Sequence, residues 1–166
     1  MEILANIDVD DLDKAISFYC AAFGLSIGRR LGQFGAELIG GSAPIYLLVK
    51  APGTPAASTI SQLRGYERHW TPVHLDFVVE DVELAVQSAI EAGAQLEDKV
   101  ETHNWGRIAH MADPFGHGFC LVQFLERGYD EITQQGTPAD RPAVAKRRRD
   151  GEQRNTLESK PTGGGV

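Results

Sequence analysis

The sequence predicts an α+β protein in which two tandem βαβββ modules form a cupped, mixed β-sheet with the helices outside. Three observations lead there: an internal repeat, strand and helix periodicity within each copy, and a change of composition that closes the folded part. The repeat aligns "LANIDVDDLDKAISFYCAAFG", from Leu4, with "HLDFVVEDVELAVQSAIEAGA", from His74. Self-similarity at this spacing signals duplicated structural units. Two such units, each apolar on one sheet face, would leave their inner faces around a cavity.

Each copy opens with an alternating strand that an acid ends, Asp11 in the first and Asp81 in the second. An aspartate there caps the free N–H groups of a following helix and meets the positive end of its dipole. Leu12, Ala15, Ile16, Tyr19 and Phe23 recur at helical spacing, as do Val82, Ala85, Val86, Ala89 and Ile90. Gly24 and Gly93 are the expected stops. Strand-like stretches follow each helix: "SIGRRLGQ", "GAELIGG" and "IYLLVKA", then "AQLEDKV", "GRIAHMA" and "GFCLVQF". The modules are therefore placed at 1–51 and 72–127. Residues 52–71, rich in Pro, Ala, Ser and Thr at their start, read as a mobile connection.

Beyond Arg127 the composition shifts, with Tyr129 the one aromatic residue left. Residues 128–166 cannot bury enough apolar surface to offset their ordering entropy and read as a flexible polar tail, with a short helix near 141–149. Its run Lys146-Arg147-Arg148-Arg149 has little specificity, and a solvated tail is the simpler reading.

The chain has 166 residues, 42% of them hydrophobic, and a net charge of −7. That balance argues against nucleic acid as a partner, since phosphate binding wants a basic face. No apolar run reaches the roughly 18 residues a membrane span needs. "MEILANIDVDD" has no secretory pattern. Cys20 and Cys120 both lie in apolar surroundings, which suits reduced thiols. A cytoplasmic protein without membrane partners is expected.

The doubled unit, the H-x-x-x-x-V-x-D pattern from His74 to Asp81 and the turn-strand "DPFGHGFCLVQF" resemble the vicinal oxygen chelate superfamily. Glyoxalase I, fosfomycin-resistance proteins, extradiol dioxygenases and bleomycin-resistance proteins are its members. The resemblance covers residues 2–126, and it implies the glyoxalase/bleomycin-resistance fold and a homodimer. It does not select a reaction, because one fold hosts many. Metal-using members take ligands from the first and last strand of each half, and here those positions hold Leu4, Tyr46, His74 and Cys120. Leucine offers no donor and a neutral phenol is a poor one, so no metal ligand set and no cofactor is expected. A metal-dependent glyoxalase or dioxygenase would need Asp8, Asp76 or a partner subunit to complete the donors.

Strand alternation with this resemblance gives the expected pocket. His74, His110 and Tyr46 are the catalytic candidates: one imidazole to abstract a proton beside a carbonyl, a second to return it, and a hydroxyl to steady the oxyanion. Asn6, Leu48, Asp76, Trp105 and Cys120 are the substrate-binding candidates. Cys120 reads as a small wall residue rather than a nucleophile. His117, of opposite parity, is expected to face solvent, and Arg107 to point away from His110. Trp70 suits a subunit contact. Three functions follow: a metal-independent lyase or isomerase acting on a small organic molecule, a drug- or metabolite-sequestering protein, and a metal-dependent enzyme.

Overall fold

A computed structural model describes residues 1–133. The expected tail beyond them, with its helix and its basic run, lies outside the described residues. In chain order the elements are β1 (Ala5–Val9), α1 (Leu12–Phe23), β2 (Ser26–Arg30), β3 (Gly35–Ile39) and β4 (Ile45–Val49). The second set is β5 (Leu75–Val78), α2 (Val82–Ala92), β6 (Gln95–Leu96), β7 (Glu101–His103), β8 (Gly106–Ala112) and β9 (Gly118–Phe124).

Each module is a mixed sheet of its own. The orders are β1-β4-β3-β2 and β5-β9-β8-β6, with β7 also paired to β8. In both, the first and last strands run parallel and the remaining pairs antiparallel. The stretch "AQLEDKV" holds only the two-residue β6, and β7 begins just past it at Glu101. Between the two strands the Glu97 carboxylate binds Arg68 and Trp70.

The helix boundaries obey local chemistry. Asp11 accepts from the Lys14 amide and Asp81 from those of Glu83 and Leu84. Gly24 and Gly93 close the helices at φ of 64° and 113°, in the left-handed region that glycine enters without penalty. No helix among the described residues is long and apolar enough to cross a membrane.

One core joins the modules. Phe18, Tyr19 and Phe23 of α1 reach the second sheet, where the Phe23 ring stacks on Phe77 at 3.9 Å and Phe18 meets Phe119 edge-on. Alternation then sorts the strands. Ala5, Ile7 and Val9, with Phe119 and Leu121, face this core, leaving Asn6, Asp8, Asp76 and Cys120 on the opposite faces.

The connection 52–71 is pinned rather than loose. Arg64 pairs with Asp8 at 2.6 Å, the Tyr66 hydroxyl donates to the Lys50 carbonyl, and His69 N–H donates to the Gly116 carbonyl. Residues 66–73 thus form a strap over the start of β9. Gly116 has φ of 82°, and a Cβ there would run into the Glu67 carbonyl. Gly116→Ala should cost about 1–3 kcal/mol of stability. Thermal unfolding would show the loss, and hydrogen exchange should quicken first in residues 66–73.

The folded part also runs past Arg127. Gly128–Glu131 form a 3-10 turn in which Tyr129 packs on Trp105 and Phe124, so the polar segment begins later than composition suggested.

Candidate functional site

A groove of about 1250 Å³ runs between the β1 region and the start of β5, under the strap. Leu4, Asn6 and Asp8 line one side, His74 and Phe77 the other, and Trp70 the strap side. Strand register builds a polar row beside it. Asp76 on β5 lies opposite Cys120 on β9, and Cys120 opposite His110 on β8. Imidazole Nε2 of His74 sits 3.2 Å from Asp76 Oδ1. His74 therefore belongs both to the groove wall and to the row.

Trp70 covers this row. Its ring meets His74 and His110 edge-on, at centroid separations of 5.4 and 5.9 Å, and its indole N–H donates to Glu97 at 2.7 Å. Arg68 lies over the same ring and pairs with Glu97. Gly118 is where the indole rests, because a Cβ there would strike the ring. Within the chain, the tryptophan's contacts are with this row, and its ring stays partly exposed. The local signal was "YERHWTP" just before His74, but nothing in it says which strand the ring would cover.

Cys120 is buried and its thiol is pushed up to about 12, chiefly by burial and then by the charge of Asp76 and a hydrogen bond to it. A thiol so raised stays protonated near neutral pH and is a poor nucleophile. Iodoacetamide at pH 8 should leave Cys120 unmodified in the folded protein and label it after denaturation, a difference that peptide mass spectrometry resolves.

The other candidates part company. Tyr46 lies on the first sheet in a second row, Asn6–Tyr46–Glu37–Arg29 by register. Its hydroxyl donates to Glu37 at 2.7 Å and accepts from Arg29 at 2.8 Å. Glu37 is buried and its carboxyl is held down to about 2, first by the Arg29 hydrogen bonds and then by Tyr46. Leu48 neighbours Asp8 on that sheet. Trp105 is not at the groove: it stacks on His103 and packs with Tyr129 and Phe124. Arg107 points to the helix side, where it pairs with Glu83, as parity implied.

His117 corrects its expectation. Rather than facing solvent, its ring is half-buried in the groove wall, with Nε2 donating to the Asp8 carbonyl at 2.8 Å and Nδ1 3.1 Å from His69 Nε2. Strand parity failed because His117 precedes β9 and obeys the turn: Asp113 Oδ1 accepts from its backbone N–H.

The four family ligand positions make a poor donor set. Leu4 has no donor atom, and the Tyr46 hydroxyl is committed to Glu37 and Arg29. A divalent ion shared between the two modules does not fit these residues.

Two βαβββ modules with this strand order define the glyoxalase/bleomycin-resistance/dioxygenase superfamily architecture. The chain belongs to the glyoxalase-like domain family, whose model matches residues 5–122. Uncharacterized protein Mb0911c of Mycobacterium bovis is 34% identical over 129 residues, which are 75% of this chain and 84% of that one. Anthracycline biosynthesis protein DauV of a Streptomyces species is 30% identical over 122 residues, 70% of this chain but 39% of DauV. A glyoxalase/bleomycin resistance protein/dioxygenase family enzyme from Burkholderia phytofirmans shares the fold, with a TM-score of 0.58, 22% identity and coverage of 74% and 97%.

Proposed function

We propose that the protein binds a small organic carbonyl compound in the groove and acts on it by proton transfer, as a metal-independent lyase or isomerase. The observation that carries this reading is the double placement of His74. Its ring lines the groove, while its Nε2 lies 3.2 Å from the Asp76 carboxylate. A carboxylate there favours the Nε2–H tautomer and leaves Nδ1, with its lone pair, to serve the groove. That is a base held by an orienting group, the arrangement needed to take a proton from carbon beside a carbonyl.

The steps use this chain's own residues. Apolar contacts from Leu4 and Phe77 bury the ligand's body, and Asn6 offers an amide to its oxygen. His74 Nδ1 removes the proton, and the resulting imidazolium is steadied by Asp76. His110, under the same Trp70 ring, is the second proton carrier. Tyr46 and the Arg29–Glu37 pair lie on the other module, and a second copy of the chain bringing that face over His74 would complete the pocket.

Sequestration of a drug or metabolite is the second reading. The groove's size favours it, since about 1250 Å³ exceeds the roughly 300–1,000 Å³ of ordinary ligand sites. Incubating the protein in deuterium oxide with a panel of α-hydroxy- and α-keto-carbonyl compounds separates the two. Proton NMR should show deuterium entering the carbon beside the carbonyl. Panel compounds that bind tightly without exchange would support sequestration.

A further inference from the structure

We propose that His74 Nε2, the Asp76 carboxylate and Cys120 Sγ form a three-donor site for a thiolate-seeking divalent cation, typified by zinc, whose occupancy switches His74 off. The three donor atoms lie within 4.8 Å of one another. His74 and Asp76 are already at 3.2 Å. Donors on one zinc ion, bound at about 2.0–2.3 Å, stand roughly 3.3–3.8 Å apart, so rotation about side-chain bonds closes the set.

The chemistry selects the ion. One nitrogen, one oxygen and one sulfur suit zinc and its softer neighbours, whereas magnesium and calcium demand oxygen. Cys120 is buried, while His74 and Asp76 are about two-fifths exposed, so a fourth position is open to solvent or a small ligand on their exposed side. This set shares His74 and Cys120 with the four family positions but draws on one module only, with Asp76 in place of the first-module pair Leu4 and Tyr46.

Binding conserves protons simply. The Cys120 proton goes to solvent, the sulfur–metal bond forms, and the His74 ring hydrogen moves from Nε2 to Nδ1 as Nε2 takes the metal. The lone pair that would serve the groove is then gone. The switch half of the inference rests on the proton-transfer reading above; the site itself does not.

The test is a cobalt and zinc titration of the full-length metal-free protein. One equivalent of cobalt(II) should give a sulfur-to-cobalt charge-transfer band, kept in Cys20→Ser and lost in Cys120→Ser. Zinc affinity, read against a chromophoric chelator, should fall in Cys120→Ser and Asp76→Asn by more than the roughly 10–100-fold that outer-shell changes cost. Circular dichroism checks that each variant is folded, and Asp76→Asn stands alone if Cys120→Ser is not. No charge-transfer band in the parent protein, or zinc affinity unchanged in the folded variants, would overturn the site. A cobalt spectrum as described with no proton transfer on any carbonyl would leave the site standing and remove the reading it was attached to.

Discussion

His74→Gln is expected to lose about 10²–10⁴-fold in proton transfer, the span a positioned acid–base group supplies, while still binding the ligand. The reasoning is geometric. Glutamine keeps a polar side chain of similar reach at the groove wall but has no lone pair of comparable basicity. The apolar lining from Leu4 and Phe77 is untouched, so ligand burial remains. Asp76→Asn should give a smaller loss on the same assay, because it removes the charge beside Nε2 and not the base itself. Isothermal titration beside the deuterium-exchange assay checks both. If His74→Gln exchanges as fast as the parent protein, His74 is a wall residue and sequestration becomes the better account.

Asp113→Ala is the second large effect, and it is a stability effect. The carboxylate is buried and fully used: Oδ2 accepts from the Tyr19 hydroxyl at 2.6 Å, and Oδ1 from the amides of Phe115 and His117 at 2.8 and 2.9 Å. Tyr19 is on α1 of the first module and Asp113 on the turn of the second, so this residue fastens one to the other. Burial, then the charge and hydrogen bond of Asp113, raise the Tyr19 hydroxyl well above its ordinary value and keep it a donor. Alanine would strand that hydroxyl and two amides. About 3–5 kcal/mol of stability should go, with Asp113→Asn recovering part of it. Urea unfolding measures the loss, and a cost below about 1 kcal/mol would mean that water satisfies these groups and the clasp is dispensable.

Periodicity and caps made the fold legible. Asp11, Asp81, Gly24 and Gly93 state where the helices begin and end, and the duplication states that there are two modules. Alternation also placed Asp76 and Cys120 on one face and Arg107 on the other, since parity within a strand is a local property. What sequence reasoning missed depends on contacts between distant segments. Trp70 meets His74, four residues on, but its partner Glu97 and its resting place Gly118 are distant in sequence. His117 was misplaced because a turn, not a strand, aims it. The Glu37–Tyr46–Arg29 lock had one usable signal, a glutamate inside the apolar "GAELI", which announces a buried charge that needs a partner.

The most direct test of the central claim, that Asp76 presents a basic His74 Nδ1 to the groove, is the long-range ¹H–¹⁵N NMR spectrum of the His74 ring, with and without a bound carbonyl ligand. The expected result is an Nε2–H tautomer in the free protein, an unprotonated Nδ1, and a shift of the Nδ1 resonance alone when ligand is added. An Nδ1–H tautomer, or a ring that does not respond to a saturating ligand, would contradict it.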